Sequence, residues 1–443
     1  MGIFHHPHKY SGQSLAHMGN KSIMSAKQYQ YELYKETVRH LVVEVKGFDV
    51  EAIENSVSSG KAARVIKGGR LGFAYSTDAI SSDNDVIKMA ESASLMVAPD
   101  SDVSFPPSEK TTAIKNDLSA FLDTTIEDKI SIAKRLEGTP LIHRTIYEEL
   151  IREVHIENSN GIDTGFKTGN CAIIVTAVAE DKSGSERATE VALALAPQAL
   201  DVEKIGMEAA SRATACLNSR KISSCRCRAI LDKHVVSEVL KLIAPAFFAD
   251  FVFKKKSSLA GKMGEVIYSP NITIINDATL KDAFSSVPYD AEGAASKKTV
   301  LVQNGRIASF LADAVYAKKA GVALTASSIR PMIIQMPRIG VHNLYIMPGS
   351  KDIGALKKDM GHGFYITELL GLHTANPITG DFSVGASGFW IDGGMDAYGV
   401  KGVTIAGNLH GLLGCISFVG SDLKFWSTTG GVSLLIEEMA VSG

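Results

Sequence analysis

Residues 147–178 read YEELIREVHIENSNGIDTGFKTGNCAIIVTAV, and strand-like segments flank the turn residues Asn158-Ser159-Asn160-Gly161. Tyr147–Ile156, Ile162–Thr168 and Cys171–Val178 follow one another without a helical pattern between them. Successive strands joined by polar turns are typical of an antiparallel meander. Because strands and helices are grouped along the chain rather than alternating regularly, the sequence predicts an α+β fold rather than a doubly wound sheet.

Three glycine-containing turns predict β-hairpins elsewhere in the chain. Glycine permits the positive φ that a tight turn requires, and Asn-Gly is the preferred pair of a type I′ turn. The turns are Lys67-Gly68-Gly69 between Ala62–Ile66 and Arg70–Ser76, Asn304-Gly305 between Val300–Gln303 and Arg306–Leu311, and Asp392-Gly393-Gly394 between Phe389–Ile391 and Tyr398–Val400.

Helices are predicted from composition and from apolar residues at helical spacing. The segments are Ser25–His40, Val86–Val97, Ile126–Leu136 and Ala199–Leu217. A fifth segment, Val235–Phe253, has 14 apolar residues among its 19, with polar interruptions and Pro245. The interruptions argue against a membrane span, so we expect a buried helix that Pro245 bends.

The mixture of small, basic and polar residues at Asn218–Arg228 predicts a boundary between two domains of similar length. We expect a loose extension at residues 1–25, which carry His5, His6, His8 and His17. Residues 26–222 then form an N-terminal α+β meander domain. Residues 223–443 form a β-rich C-terminal domain around the buried helix.

Composition narrows the class of protein. The chain has 443 residues, with 46 Lys+Arg against 48 Asp+Glu and a net charge of −2. This balance provides no overall field that would favour nucleic acid or an anionic membrane, so we expect neither as a partner. The five cysteines lack the spacing of a disulfide framework or metal site, which favours a reducing, cytoplasmic location.

Most catalytic signatures are absent from the sequence. It contains no GxxxxGK[ST] phosphate loop, no complete GxGxxG fingerprint, no GxSxG nucleophile elbow and no HExxH zinc motif. His234 and Glu238 are interpreted as a pair at a helix start. The other local group of potential ligands, His362, Glu368, His373 and Asp381, matches no metal template.

Six segments resemble the TldD/PmbA family, historically called modulators of DNA gyrase, and particularly its PmbA (TldE) branch. Together they extend the resemblance over nearly everything after the first 25 or so residues. They are GRLGFAYSTD (69–78), SVPYDAEG (286–293), MGHGFYITELLG (360–371), GDFSVGASGFW (380–390), VTIAGNL (403–409) and GGVSLLIEEM (430–439).

The resemblance implies a division of roles between two kinds of subunit. In this family the TldD-type subunit is a zinc peptidase with a His-Glu-x-x-x-His helix and a later cysteine ligand, and the TldE-type subunit pairs with it. Where the metal helix should fall, this sequence reads LKLIAPAFFAD (240–250), and Thr428–Glu437 contains no cysteine. We therefore expect no metal or other cofactor in this chain, with zinc only in a TldD-type partner.

The resemblance further implies a cytosolic peptidase that cleaves unfolded or modified peptides, with this chain as its non-catalytic subunit. We expect a homodimer or a heterodimer with a TldD-type subunit. Glycine lets another backbone approach closely, which suits a peptide channel, although the same glycines could serve sheet corners. The residues expected to contact a peptide are Asp290, Glu292, Gly293, Glu368, Ser383, Ser387, Gly388 and Phe389.

One alternative remains open for the carboxylates and three remain open for the function of the chain. The carboxylates Asp290, Glu292 and Glu368 could cap turns instead of orienting peptide groups. The chain could be an autonomous peptidase whose site uses His362, Glu368 and His373. It could also be a non-enzymatic binding protein for gyrase or another regulator, or a homodimeric scaffold.

Overall fold

The computed structural model describes residues 29–47, 49–111, 118–182 and 184–443, so the expected extension at 1–25 lies outside it. An antiparallel sheet of six strands dominates the first half, in the spatial order β3-β2-β1-β4-β5-β6. The strands are β1 (Gln30–Lys46), β2 (Asp49–Lys67), β3 (Arg70–Ser76), β4 (Ile142–Asn158), β5 (Asp163–Asp181) and β6 (Gly184–Ala194). The turn predicted at residues 158–161 is confirmed between β4 and β5. The separate strands predicted at Ile162–Thr168 and Cys171–Val178 are wrong in one respect, because Gly169 and Asn170 continue the pairing with β4 and the two segments form the single strand β5.

The helix predicted for Ser25–His40 is wrong over its described part, because Gln30–Lys46 is strand β1. β1 pairs along its length with β2 on one side and with β4 on the other. Its Glu, Lys and Arg residues favour helix only weakly, and this pairing together with burial of Leu33, Leu41 and Val43 outweighs that preference.

Four helices accompany the sheet: α1 (Asp83–Ser94), α2 (Ser119–Leu122), α3 (Ile126–Lys134) and α4 (Val202–Cys216). A capping box at Ser82 begins α1, and a second one at Thr125 begins α3. α1 lies so close to β3 that a Cβ on Gly72 would be 1.9 Å from the carbonyl oxygen of Ala90. α3 and α4 cover the sheet further along and share its core with Tyr147 and Ile173.

The second half contains a mixed six-stranded sheet and a smaller four-stranded one, in the orders β16-β15-β14-β7-β20-β17 and β10-β9-β8-β13. The strands of these sheets are β7 (Cys225–Leu231), β8 (Ile274–Asp277), β9 (Lys298–Gln303), β10 (Arg306–Ile307), β13 (Leu344–Ile346), β14 (Gly363–Leu370), β15 (Asp381–Asp392), β16 (Met395–Asn408), β17 (Ile416–Val419) and β20 (Leu434–Ser442). Two short pairs complete the strands, β11 (Ser328–Ile329) with β12 (Arg338–Ile339) and β18 (Lys424–Phe425) with β19 (Gly430–Gly431). β16 also pairs with β20, so the large sheet curls back on itself.

The predicted bent helix Val235–Phe253 is confirmed as a broken helical segment at the core. It consists of α5 (Lys233–Ile243), a 3₁₀ turn (Ala244–Phe247) that contains Pro245, and α6 (Ala249–Phe253). Proline has no amide hydrogen to donate and disrupts α-helical hydrogen bonding, which accounts for the break. Three other helices lie in this half, α7 (Ala314–Ala320), α8 (Ile353–Met360) and α9 (Leu409–Gly414).

The three hairpins predicted from glycine-containing turns are confirmed. Both central residues of each turn have positive φ, as in Asn304 (48°) and Gly305 (79°).

The α+β class of the fold is confirmed as well. The division into two domains between residues 222 and 223 stays a prediction. No helix in the described ranges combines the length and the apolar character needed to cross a bilayer.

Candidate functional site

The loop that carries Asp290 and Glu292 lies in a buried ionic network between the two halves of the chain. Arg64 of β2 donates through Nη1 to Oε1 of Glu292 at 2.8 Å and through Nε to Oε1 of Glu32 at 2.9 Å. Arg330 donates to the same Glu32 oxygen at 3.1 Å. All of these side chains are buried, so the network connects the first sheet to the C-terminal half through charges that water does not reach.

Asp290 organises the loop through backbone hydrogen bonds. Its Oδ1 accepts from the amides of Glu292 and Ala294 at 2.9 and 3.0 Å, and its Oδ2 accepts from the amide of Ser328 at 3.0 Å. Burial, and then the charge of Glu292, raises the pKa of Asp290 to about 8. Gly293 supplies a φ of +80° at the turn.

These contacts give Asp290, Glu292 and Gly293 a structural role. The remaining oxygen of Glu292 accepts from the amide of Ala314 at the start of α7, at 3.1 Å. Both carboxylates are 1% exposed, so neither reaches a surface groove in this conformation. The contact of these three residues with a peptide stays a prediction.

The other expected site residues lie on the antiparallel pair β14 and β15. Ser387 Oγ donates to Oε2 of Glu368 at 2.9 Å, across the two strands. Ser383 and Glu368 are exposed. Gly388 is buried, and a Cβ on it would lie 1.9 Å from the carbonyl oxygen of Tyr365, so close strand packing requires glycine there. The structure therefore brings Glu368 and Ser387 together and gives Gly388 a packing role.

Phe389 lines a cleft of about 1110 Å³ between α4 and the C-terminal half. The cleft is bordered by Ser211 and Arg212 on α4, and by Thr367 on β14. Arg212 joins the two sides, because it donates to Oε1 of Glu190 at 2.7 Å and to the carbonyl oxygen of Thr367 at 2.8 Å. An arginine held in this way fixes the distance between the two walls of the cleft.

A hydrogen-bonded pair, Asp232 and Tyr365, lies in the same cleft. The Tyr365 hydroxyl donates to Oδ2 of Asp232 at 2.5 Å. Burial, followed by the charge of Asp232, raises the pKa of this phenol far above its usual value, so Tyr365 stays protonated. Oδ1 of Asp232 caps α5 by accepting from the amide of His234 at 2.9 Å. The pair is thus a fixed hydrogen-bonding group rather than a proton donor near neutral pH.

Sequence reasoning missed Asp232, Tyr365 and Arg212. Asp232 precedes a helix at the cap position, which is the only local signal that it carries. His234, interpreted as half of a helix-start pair with Glu238, contacts the Trp426 ring edge-on, with ring centroids 5.1 Å apart. The residues that meet in this cleft come from distant parts of the chain, so no spacing rule could identify the site.

His362, Glu368 and His373 do not form a metal site. Glu368 in β14 lies six positions after His362, which is about 20 Å at the usual rise per residue of a strand. His362 instead pairs with Asp392 at 2.5 Å. Within the described ranges, no group of three or more His, Cys, Asp or Glu side chains could hold a metal ion. The alternative of an autonomous peptidase built on these three residues is therefore not supported by their placement.

The fold and its clefts define an α+β protein whose halves share a buried ionic junction and enclose grooves between them. Three family models match consecutive segments of the chain: PmbA/TldA metallopeptidase domain 1 at residues 31–97, the central domain at 120–217 and the C-terminal domain at 224–443. The chain belongs to the PmbA/TldD family, which confirms the resemblance identified from the sequence.

Individual relatives agree with this assignment. The metalloprotease PmbA of Escherichia coli O157:H7 is 28% identical over 287 residues, which cover 65% of this chain and 61% of that protein. A Thermotoga maritima protein, proposed as a modulator of a DNA gyrase, superposes with a TM-score of 0.85 at 25% identity, over 94% of this chain and 96% of that one. TldE from Thermococcus kodakarensis also has a TM-score of 0.85, at 23% identity over 94% and 97%, and shows the same fold.

Proposed function

We propose that this chain is a non-catalytic, TldE-like subunit that works with a zinc-binding TldD-type subunit in the cytoplasm. Together the two subunits cleave unfolded or modified peptides, and this chain completes the dimer and shapes the peptide channel. The proposal draws on the family assignment, on the name metalloprotease carried by PmbA relatives, and on one observation at the segment 240–250.

The observation is that apolar residues of this segment belong to the hydrophobic core. The family resemblance would put the metal helix at the same place. Leu240, Ile243 and Phe247 are each no more than 1% exposed and pack into the C-terminal core. Zinc requires imidazole, thiolate or carboxylate ligands, and these apolar side chains supply none. The residues of this segment do not fit zinc, so we assign no metal-dependent step to them.

A free strand edge supports association with a second subunit. β3 pairs only with residues 61–67 of β2, so residues 49–60 have one edge without a strand partner in the described part of the chain. Ile53 and Val57 on this segment are exposed. An exposed edge strand with apolar side chains is a template for pairing with another chain, which fits either a TldD-type subunit or a second copy.

The test compares peptide cleavage by this chain alone, by a TldD-type subunit alone, and by the mixture. Unstructured peptides serve as substrates. Light scattering measures the oligomeric state. We expect no cleavage by this chain alone. We expect the mixture to show chelator-sensitive cleavage above that of the partner alone.

A full-length variant with His5, His6, His8 and His17 changed to Asn removes adventitious zinc, and elemental analysis of that variant should find less than one zinc per chain.

A pair of surface variants tests the strand edge. Val57→Asp places a charge on the free edge of β2, whereas Met395→Asp places one on an exposed hairpin of the C-terminal half. We expect only Val57→Asp to weaken association and cleavage by the mixture. Metal-dependent cleavage that remains with this chain after the partner is removed would contradict the proposal, as would a strictly monomeric chain in the presence of the partner.

A further inference from the structure

A second cleft, of about 460 Å³, lies where the first sheet meets loops of the C-terminal half. Leu150, Val154 and Phe166 form its wall on the side of β4 and β5. Val287 and Val341 belong to the opposite wall. The volume falls in the range of about 300 to 1000 Å³ that is typical of small-molecule pockets, so it suits one or two amino-acid residues rather than a folded partner.

The charged side chains in the lining of this cleft are arginines. Arg152, Arg330 and Arg338 line it, and its described lining contains no Asp or Glu. Arg152 is paired with Glu36 at 3.2 Å and Arg330 with Glu32 at 3.1 Å, both behind the cleft surface. Arg338 is exposed. Arg330 also donates through Nη1 to the carbonyl oxygen of Gln335 at 2.9 Å, so Arg338 supplies the guanidinium that has no carboxylate partner in the described part of the chain.

Several buried polar atoms of the lining residues have no hydrogen-bond partner in the described part of the chain, among them one atom each of Arg330 and Ser328. Nε of Arg330 and Oγ of Ser328 make no hydrogen bond within the described part of the chain. Their residues are 3% and 1% exposed. Buried donors without an acceptor are unfavourable, and native structures usually satisfy them with a ligand or ordered water. These atoms belong to residues that line the cleft, so an acceptor bound there would lie beside donors that the chain itself leaves unsatisfied.

We infer that this cleft binds the C-terminal carboxylate of a peptide, together with its apolar last side chain. Arginine pairs with planar carboxylates through two parallel hydrogen bonds, and the apolar walls provide for the side chain. An inorganic anion would satisfy the arginines and leave the apolar walls unused. The inference deepens the proposed function by defining how one end of the peptide is held.

The experiment measures binding to the full chain alone by isothermal titration calorimetry. The probe is the tripeptide acetyl-Ala-Ala-Leu with a free carboxylate, and its C-terminal amide is the matched ligand. We expect the acid to bind at least tenfold more tightly than the amide. Octanoate tests a carboxylate that is not a peptide, and inorganic phosphate tests an anion without apolar groups. Both should bind at least tenfold more weakly than the acid.

Two substitutions locate the binding site. Arg338→Gln removes an exposed cation from the cleft and should weaken binding of the acid tenfold while leaving the amide unchanged. Arg187→Gln, at an exposed arginine of β6 outside the cleft, is the control and should leave both ligands unchanged. Val341→Phe fills the cleft and should weaken both ligands, with circular dichroism confirming that the variant is folded.

Several results would overturn the inference. They are absence of binding by the acid, equal affinity for acid and amide, equal effects of Arg338→Gln and Arg187→Gln, or octanoate or phosphate binding as tightly as the peptide. The experiments distinguish a failure of the proposed subunit role from a failure of the proposed carboxylate-binding cleft. Partner-dependent cleavage with no binding here would exclude the cleft alone, whereas carboxylate-dependent binding without partner-dependent cleavage would support the cleft and exclude the subunit role.

Discussion

Nη1 of Arg64 lies 2.8 Å from Oε1 of Glu292, although 228 positions separate the two residues in the sequence. Arg64 belongs to the first sheet, and Glu292 belongs to a loop of the C-terminal half. Both are buried, and Arg64 also pairs with Glu32. A buried arginine between two carboxylates therefore links the two halves of the molecule.

Arg64→Met should destabilise the protein by about 3 to 5 kcal/mol, because it leaves the buried Glu292 without a cation and Glu32 with Arg330 alone. Chemical denaturation measures the loss. The control is Lys167→Met, which removes the exposed pair of Lys167 with Glu153, whose side chains are 56% and 57% exposed. That change should cost less than about 1 kcal/mol. Equal losses in the two variants would show that the buried network does not stabilise the junction.

Some of this fold could be predicted from the sequence because its signals are local. The turn at Asn304-Gly305 combines two adjacent residues that tolerate positive φ, and it forms where the sequence places it. The strand β1 could not be recognised, because its helix-compatible composition is overruled by pairing with two strands that lie elsewhere in the chain.

The candidate site was predictable only in part, for the same reason. Asp290 and Glu292 were identified through the family resemblance. Their burial in the ionic network between the two halves depends on residues that are far apart in the sequence. Asp232 and Tyr365 lie 133 positions apart and meet only in the folded chain. Glu368 and Ser387, which lie on adjacent strands of one hairpin, are the expected pair that the structure brings into contact.

Phe247→Ala should destabilise the protein by about 3 to 5 kcal/mol, because it leaves a cavity in the C-terminal core. Phe247 is 1% exposed in the 3₁₀ turn that follows α5. Phe253, six residues further on, is 51% exposed, so Phe253→Ala is the matched control and should cost much less. Denaturant unfolding of both variants measures the difference, and a loss below about 1 kcal/mol at Phe247 would contradict its place in the core.

Gly388→Ala should destabilise the pairing of β14 with β15 by about 1 to 3 kcal/mol, because the new Cβ would lie against backbone that must shift. The nearest atom is the carbonyl oxygen of Tyr365, at 1.9 Å. A Cβ on Gly385 of the same strand would lie 3.2 Å from Cβ of Leu370, so relief there requires a shift of only a few tenths of an ångström. Gly385→Ala should therefore be tolerated better. Thermal unfolding compares the two variants, and equal melting temperatures would show that the strands can separate locally without cost.

His410 should make the protein less stable as the pH falls below about 6.5, the pKa of an unperturbed imidazole. Its Nδ1 lies 2.7 Å from the Tyr268 hydroxyl and its Nε2 lies 3.0 Å from Ser258 Oγ. Burial, and then the charge of Lys262, lowers the pKa of His410 to about 4.

In the window between these two pKa values, the unfolded chain takes up a proton that the folded chain excludes, so stability is lost as the pH falls. Between pH 7 and pH 5 this loss amounts to about 2 kcal/mol. Asp290, whose raised pKa acts in the opposite direction, contributes equally to wild type and variant and cancels in the comparison.

Denaturation at both pH values should therefore give a loss of stability about 2 kcal/mol smaller in His410→Gln than in the wild type. His373→Gln, at an exposed position, should keep the wild-type loss. If His410→Gln kept it too, the imidazole would be protonated in the folded protein and its burial would not control the pH dependence.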